Sequence, residues 1–171
     1  IMVCLVINGK DIPAKEQLVE ELSQVKGMTS ISYSINQEKT NVIMGKEIVN
    51  LYGPGYITDY IGNVCYRISP LSFYQINPVQ TEKLYKTAMM LARLNKRNVV
   101  VDAYCGIGTI GMVAAKTVKE VIGVELNAEA VRDAQSNARR NNMKNIRFVQ
   151  GDAGVFLEGM ADREEAVDVV F

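Results

Sequence analysis

Val99-Val100-Val101-Asp102-Ala103-Tyr104-Cys105-Gly106-Ile107-Gly108-Thr109-Ile110-Gly111 decides the fold of this chain. Val99–Ala103 reads as a continuous apolar strand, as in a sheet covered on both faces, with Asp102 at its end. Gly106 to Gly111 keeps the GxGxxG spacing, and 109–117 reads as a helix. Strand, glycine loop and helix in that order form the opening unit of a nucleoside-binding sheet. Downstream the alternation continues: strand at 120–125, helix at 128–142, strand at 146–150, short helix at 155–160, and a fourth strand at 167–171. Alternating strands and helices predict an α/β fold with a doubly wound parallel sheet, whose ligands bind at the carboxyl ends of the strands.

Upstream the rhythm differs. Asn77-Pro78-Val79-Gln80 marks a helix start, with Asn77 as cap, Pro78 in the first turn and Gln80 completing a capping box. Leu84, Ala88, Leu91 and Ala92 supply its expected apolar face. Before it lie short strand patterns at 3–8, 31–35, 42–44, 48–52, 56–61 and 64–68. A helix between the first two is capped by Asp11, carries Pro13 early and stops at Gly27. The expected organisation is therefore a small α+β domain over 1–75, followed by the parallel-sheet domain over 76–171. Both ends fall inside strand patterns, so the chain reads as a fragment.

The glycine loop suits either a dinucleotide or S-adenosylmethionine, and Asp102 separates the two. A carboxylate at the strand tip opposes a pyrophosphate lying on the helix start. It favours a ligand that carries a sulfonium and an ammonium. Glu125 ends the next strand, where a carboxylate accepts from both ribose hydroxyls of either cofactor. Asp152 ends the third strand and can bond adenine, cap the following helix, or do both.

Composition removes other classes. Net charge is zero, so the totals show no electrostatic grip on nucleic acid. Arg132, Arg139, Arg140, Lys144 and Arg147 form a basic cluster that Glu129 and Asp133 dilute, which reads as a solvated helix face. The absence of histidine excludes histidine-based triads within these residues. Cys4, Cys65 and Cys105 are scattered and follow no CxxC spacing, so neither a metal site nor a disulfide framework is expected. No apolar run approaches a membrane span, and a cytoplasmic setting with reduced thiols is expected.

Three blocks together resemble the RNA uracil-5-methyltransferase family: Ser72-Phe73-Tyr74-Gln75-Ile76-Asn77, Asp102 to Thr109, and Gly123-Val124-Glu125. The resemblance implies a Rossmann-like S-adenosylmethionine-dependent methyltransferase domain and an RNA substrate, rRNA rather than tRNA. It implies that the cofactor is bound by Gln75, Asp102, Tyr104, Gly106, Gly108, Thr109, Glu125 and Asp152. Thr109 stands where some members have asparagine, and Phe73 matches the aromatic of its block.

In the family a cysteine thiolate adds to uracil C6, so that C5 can attack the methyl group, and a base then removes the C5 proton. Nucleophile and base are expected beyond Phe171, Cys105 reads as a small buried residue of the loop, and these residues alone are expected to bind cofactor poorly and not to methylate. A methyltransferase with another target and an NAD-dependent oxidoreductase are the competing readings.

Overall fold

The computed structural model describes every residue from Ile1 to Phe171 except Lys46. It divides into two compact units, residues 1–57 with 69–71, and residues 58–68 with 72–171.

In the first unit β1 (Met2–Ile7) pairs in parallel with β2 (Ser30–Ile35), and β3 (Ile48–Tyr52) pairs antiparallel with β2. A parallel pair needs a crossover, which α1 (Lys15–Ser23) supplies. Its cap is not the expected Asp11. Ala14 takes the N-cap position in a left-handed conformation, with no side-chain bond. Asp11 lies too early in the chain and is engaged elsewhere, with Lys15 Nζ at 2.8 Å and the Tyr33 hydroxyl at 3.2 Å. Residues 42–44, expected as a strand, form a loop. The carbonyls of Val42 and Ile43 accept from the Asn36 side-chain amide, which stands in for a ladder partner.

The second unit carries a four-stranded sheet, all parallel. Its strands are β6 (Val99–Ala103), β7 (Glu120–Glu125), β8 (Ile146–Gln150) and β9 (Val169–Val170), in spatial order β8-β7-β6-β9. Successive residues of a strand face opposite ways, and two cores follow. Val100 and Val121 pack with Ala114 and Ala115 of α3 (Thr109–Ala115) on one face. Val101, Ile122 and Val124 pack with Ala153 and Met160 of α5 (Ala153–Asp162) on the other. This is the doubly wound arrangement expected. From β6 the chain steps out to β7 and β8, then returns to β9 on the far side of β6. That reversal opens a crevice at the carboxyl end of β6.

α2 (Pro78–Leu91) starts as expected, with the Asn77 side chain accepting from Gln80 N at 3.1 Å. Its buried face is different. Leu84 and Leu91 are 58% and 74% exposed, while Thr81 and Tyr85 are buried. Two polar side chains can face inward because each has a partner: Thr81 Oγ1 donates to Asn77 O, and the Tyr85 hydroxyl meets Thr109 Oγ1.

The ribbon of β4 (Ile57–Ile61) and β5 (Val64–Ile68), expected in the first domain, packs mainly in the second unit. The reason lies on α4 (Ala128–Arg140) and its C-cap residue Asn141. Asn137 accepts from Arg67 N at 2.7 Å and donates to Arg67 O at 3.1 Å. Asn141 accepts from Cys65 N at 2.9 Å and donates to Cys65 O at 2.7 Å. Four helical residues rise about 6 Å and two strand residues about 6.8 Å, so two amides one turn apart act as a neighbouring strand for β5. Replacing Asn137 by leucine removes both of its bonds to the Arg67 backbone. It is expected to cost about 1–3 kcal/mol by urea denaturation and to speed amide exchange at Arg67. Unchanged exchange there would remove this role.

Candidate cofactor-binding site

The site is built on the turn from β6 into α3. Tyr104, Gly106 and Gly108 all have positive φ, of 57°, 55° and 81°, which folds the chain back above the strand tip. Gly108 is required by space as well: a Cβ there would stand 2.7 Å from the Phe148 ring. The same ring, from β8, fills the place of any side chain at Gly123. At Gly106 nothing lies within 4 Å of where a Cβ would point, so that face of the loop is open.

Gly108 is the N-cap of α3 and has no side chain to offer the helix. Asp102 supplies the missing acceptor from the strand beneath, its Oδ2 taking Gly111 N at 2.8 Å. A Cβ on Gly111 would reach within 2.6 Å of that oxygen, which fixes glycine at the last position of the motif. Asp102 is only 2% exposed. Burial pushes its carboxyl up to about 7; the Gly111 bond opposes the rise and the nearby Glu125 charge adds to it.

Glu125 is held by both oxygens. Oε2 accepts from Gly106 N at 3.0 Å and Oε1 from Asn127 N at 2.9 Å. A carboxylate has about four acceptor positions, so two remain. Asp152 caps α5, accepting from Val155 N at 3.0 Å, and next to it Gly151 N is bonded to Glu125 O. Carboxylates thus stand at the ends of β6, β7 and β8 in turn.

A cavity of about 260 Å³ opens over this edge. Of the residues singled out in the sequence, Gln75, Asp102, Tyr104, Gly106 and Thr109 line it. Gly108, Glu125 and Asp152 stand outside its wall, in the supporting roles just described. Phe73 also lines it and is 76% exposed, so it is no core residue. Tyr85 and Ile107 were not foreseen as lining residues. Ile107 carries the middle of the glycine motif, but Tyr85 comes from α2, and no local pattern reveals which turn of one helix crosses another.

Cys105 is buried beside the loop. Burial foremost, then the Asp102 and Glu125 charges, push its thiol far above the usual range. Of the basic cluster, Arg132 pairs with Glu129 and Arg147 with Glu120, on exposed surface. Among the described residues no cluster of three metal-ligating side chains occurs, and no helix is long and apolar enough to cross a membrane.

Residues 94–171 match the family model described as a methyltransferase domain. The structure is similar to the tRNA (uracil-54, C5)-methyltransferase of Pyrococcus abyssi, solved with S-adenosyl-L-homocysteine: TM-score 0.70, 27% identity, 88% of this chain and 36% of that one. Residues 94–171 thus carry a methyltransferase domain, with a Rossmann-like fold and S-adenosylmethionine as its cofactor. An uncharacterized RNA methyltransferase of Clostridium tetani is 43% identical over 171 residues, 99% of this chain. One from Lactobacillus johnsonii is 46% identical over 171 residues, 100% of this chain. The chain spans 37% and 38% of the length of these curated relatives. The competing nicotinamide reading falls with this domain match, and the fold and cofactor expected from the sequence stand.

The buried Asp102 gives this domain a testable pH dependence. Its folded pKa, about 7, lies above the unfolded value, so folding favours the neutral acid. Any stability it contributes is complete below the unfolded value near pH 4 and is lost as pH rises to about 7. Asp102→Asn keeps an acceptor for Gly111 N and removes the titration. Chemical denaturation at pH 4.5, 6 and 8 should show the variant gaining on wild type with rising pH. A constant difference across that range would contradict the burial of a titrating acid.

Proposed function

We propose that this chain supplies the cofactor-binding part of an enzyme that methylates C5 of a uridine in RNA. The observation that carries the reading is the 88% coverage by the Pyrococcus uracil-5-methyltransferase at a TM-score of 0.70. The particular Phe73-Tyr74-Gln75 block adds to it, because Phe73 and Gln75 line the cavity.

The residues present fit S-adenosylmethionine. The open face at Gly106 admits a ligand, Gln75 and Thr109 offer amide and hydroxyl groups, and Tyr104 offers a ring that is 73% exposed. Glu125, its carboxylate fixed by two backbone amides, holds the ribose with its remaining lone pairs. Asp102 sits in the cavity floor as the acid toward the cationic end, and Asp152 lies toward the base while capping α5. When bound, S-adenosylmethionine supplies a methyl group activated by a sulfonium. What these residues contribute is orientation and exclusion of water.

None of the three cysteines suits the nucleophile. Cys105 is buried with a raised thiol, and Cys4 and Cys65 are half-buried in strands. The reading therefore places nucleophile and base in the part of the relatives' length that this chain does not span. Three unpaired cysteines suit the reducing cytoplasm, where the enzyme is placed.

For the RNA class, the sequence reading favours rRNA, while the Pyrococcus relative is a tRNA enzyme. The test uses the full-length protein with S-adenosylmethionine and transcripts carrying tritium at uracil C5. Cofactor-dependent release of tritium is expected, faster from rRNA than from tRNA. Methyl incorporation with the C5 tritium retained would move the target to another atom. No transfer to either RNA would end the RNA reading.

A further inference from the structure

Thr109 opens α3 and is held at two atoms by tyrosines from elsewhere in the chain. The Tyr66 hydroxyl donates to its carbonyl at 2.9 Å, and the Tyr85 hydroxyl shares a 2.7 Å bond with its Oγ1. Tyr85 is only 6% exposed, yet its ring borders two hollows. One is the cavity over the glycine loop. The other is an apolar space of about 180 Å³ between the β4–β5 turn, α2 and α3. A ring with open volume on two sides is not fixed by close packing alone. The bond to Thr109 sets where its hydroxyl stands.

Counting hydrogens gives this bond a consequence. Two hydroxyls carry two hydrogens, and the shared bond uses one. Burial raises the Tyr85 phenol above its ordinary value, so it keeps its proton at neutral pH. Whichever hydroxyl donates into the bond, the other hydrogen of the pair is left to serve a third partner. Both residues line the cavity in which that partner would sit.

We propose that Tyr85 is a positioning residue of the cofactor site: it holds the Thr109 hydroxyl in one orientation, so that the pair presents a hydrogen-bond donor to an acceptor atom of the bound sulfur nucleoside. The inference rests on the reading of this cavity as the S-adenosylmethionine site. It accounts for threonine serving where some resembling members carry asparagine: an amide brings its own donors, whereas a lone hydroxyl needs its direction set.

Calorimetric titration of the full-length protein with S-adenosylhomocysteine tests it, using wild type, Tyr85→Phe, Thr109→Val, the double variant and Thr109→Ser. Losing one such hydrogen bond is expected to weaken binding about 5–15-fold in Tyr85→Phe and in Thr109→Val. The double variant should be no more than about twofold worse than either, because both act through one bond. Thr109→Ser, which keeps the hydroxyl, should bind within about twofold of wild type, a rescue that bulk packing would not produce. Wild-type affinity in Tyr85→Phe, or losses that multiply in the double variant, would overturn the proposal. Should Tyr85→Phe fail to fold by thermal melting, the threonine variants decide, and valine binding as well as serine would overturn it. Absence of binding by wild type would instead sink the reading of the cavity itself.

Discussion

A single buried hydrogen bond, from Gly111 N–H to the Asp102 carboxyl, joins the strand tip to the helix start. Without it α3 would begin at a glycine that has nothing to offer its unpaired amides. The bond fixes the span between β6 and α3, and so the shape of the loop that crosses above. It excludes any side chain at Gly111, and it brings an acid to the floor of the cavity. The same acid costs free energy by its burial, which is why its carboxyl is pushed up to about 7. Structure and electrostatics of the site are thus set by one side chain.

Around that bond the supports come from successively more distant parts of the chain. Glu125, at the tip of the neighbouring strand, ties down Gly106. Phe148, one strand further, occupies the space that Gly108 and Gly123 leave and holds the loop from below. Tyr85 and Tyr66 reach Thr109 from α2 and β5. Open volume remains on the outer side, at Gly106 and beside Tyr104. A loop rigid beneath and open above fits a pocket formed before its ligand arrives.

What could be read in advance was whatever local spacing dictates. The strands from Val99, Glu120 and Ile146, the Asn77 cap and the glycine motif each follow from a short pattern. Glu125 was legible because it closes a strand next to that motif. What escaped depends on side-chain partners that local spacing does not reveal, most of them remote in sequence. Leu84 and Leu91 make a good apolar face on a helical wheel, yet the helix buries Thr81 and Tyr85, since their polar atoms find Asn77 and Thr109. The Asn137 and Asn141 ladder assigns the β4–β5 ribbon to the later unit, and nothing in a run of polar helix residues announces it. Asp11 reads as a cap from local spacing, yet its side chain bonds Lys15 and, from β2, the Tyr33 hydroxyl.

The central claim is that the crevice at the ends of β6 and β7 holds a sulfur nucleoside. The most direct measurement is a crystal structure of the full-length protein soaked with S-adenosylhomocysteine and NAD together. The account predicts S-adenosylhomocysteine in the cavity lined by Gln75, Tyr104 and Thr109, with both ribose hydroxyls on Glu125. A diphosphate resting on the amides after Gly106, or a nucleoside bound away from Glu125, would contradict it.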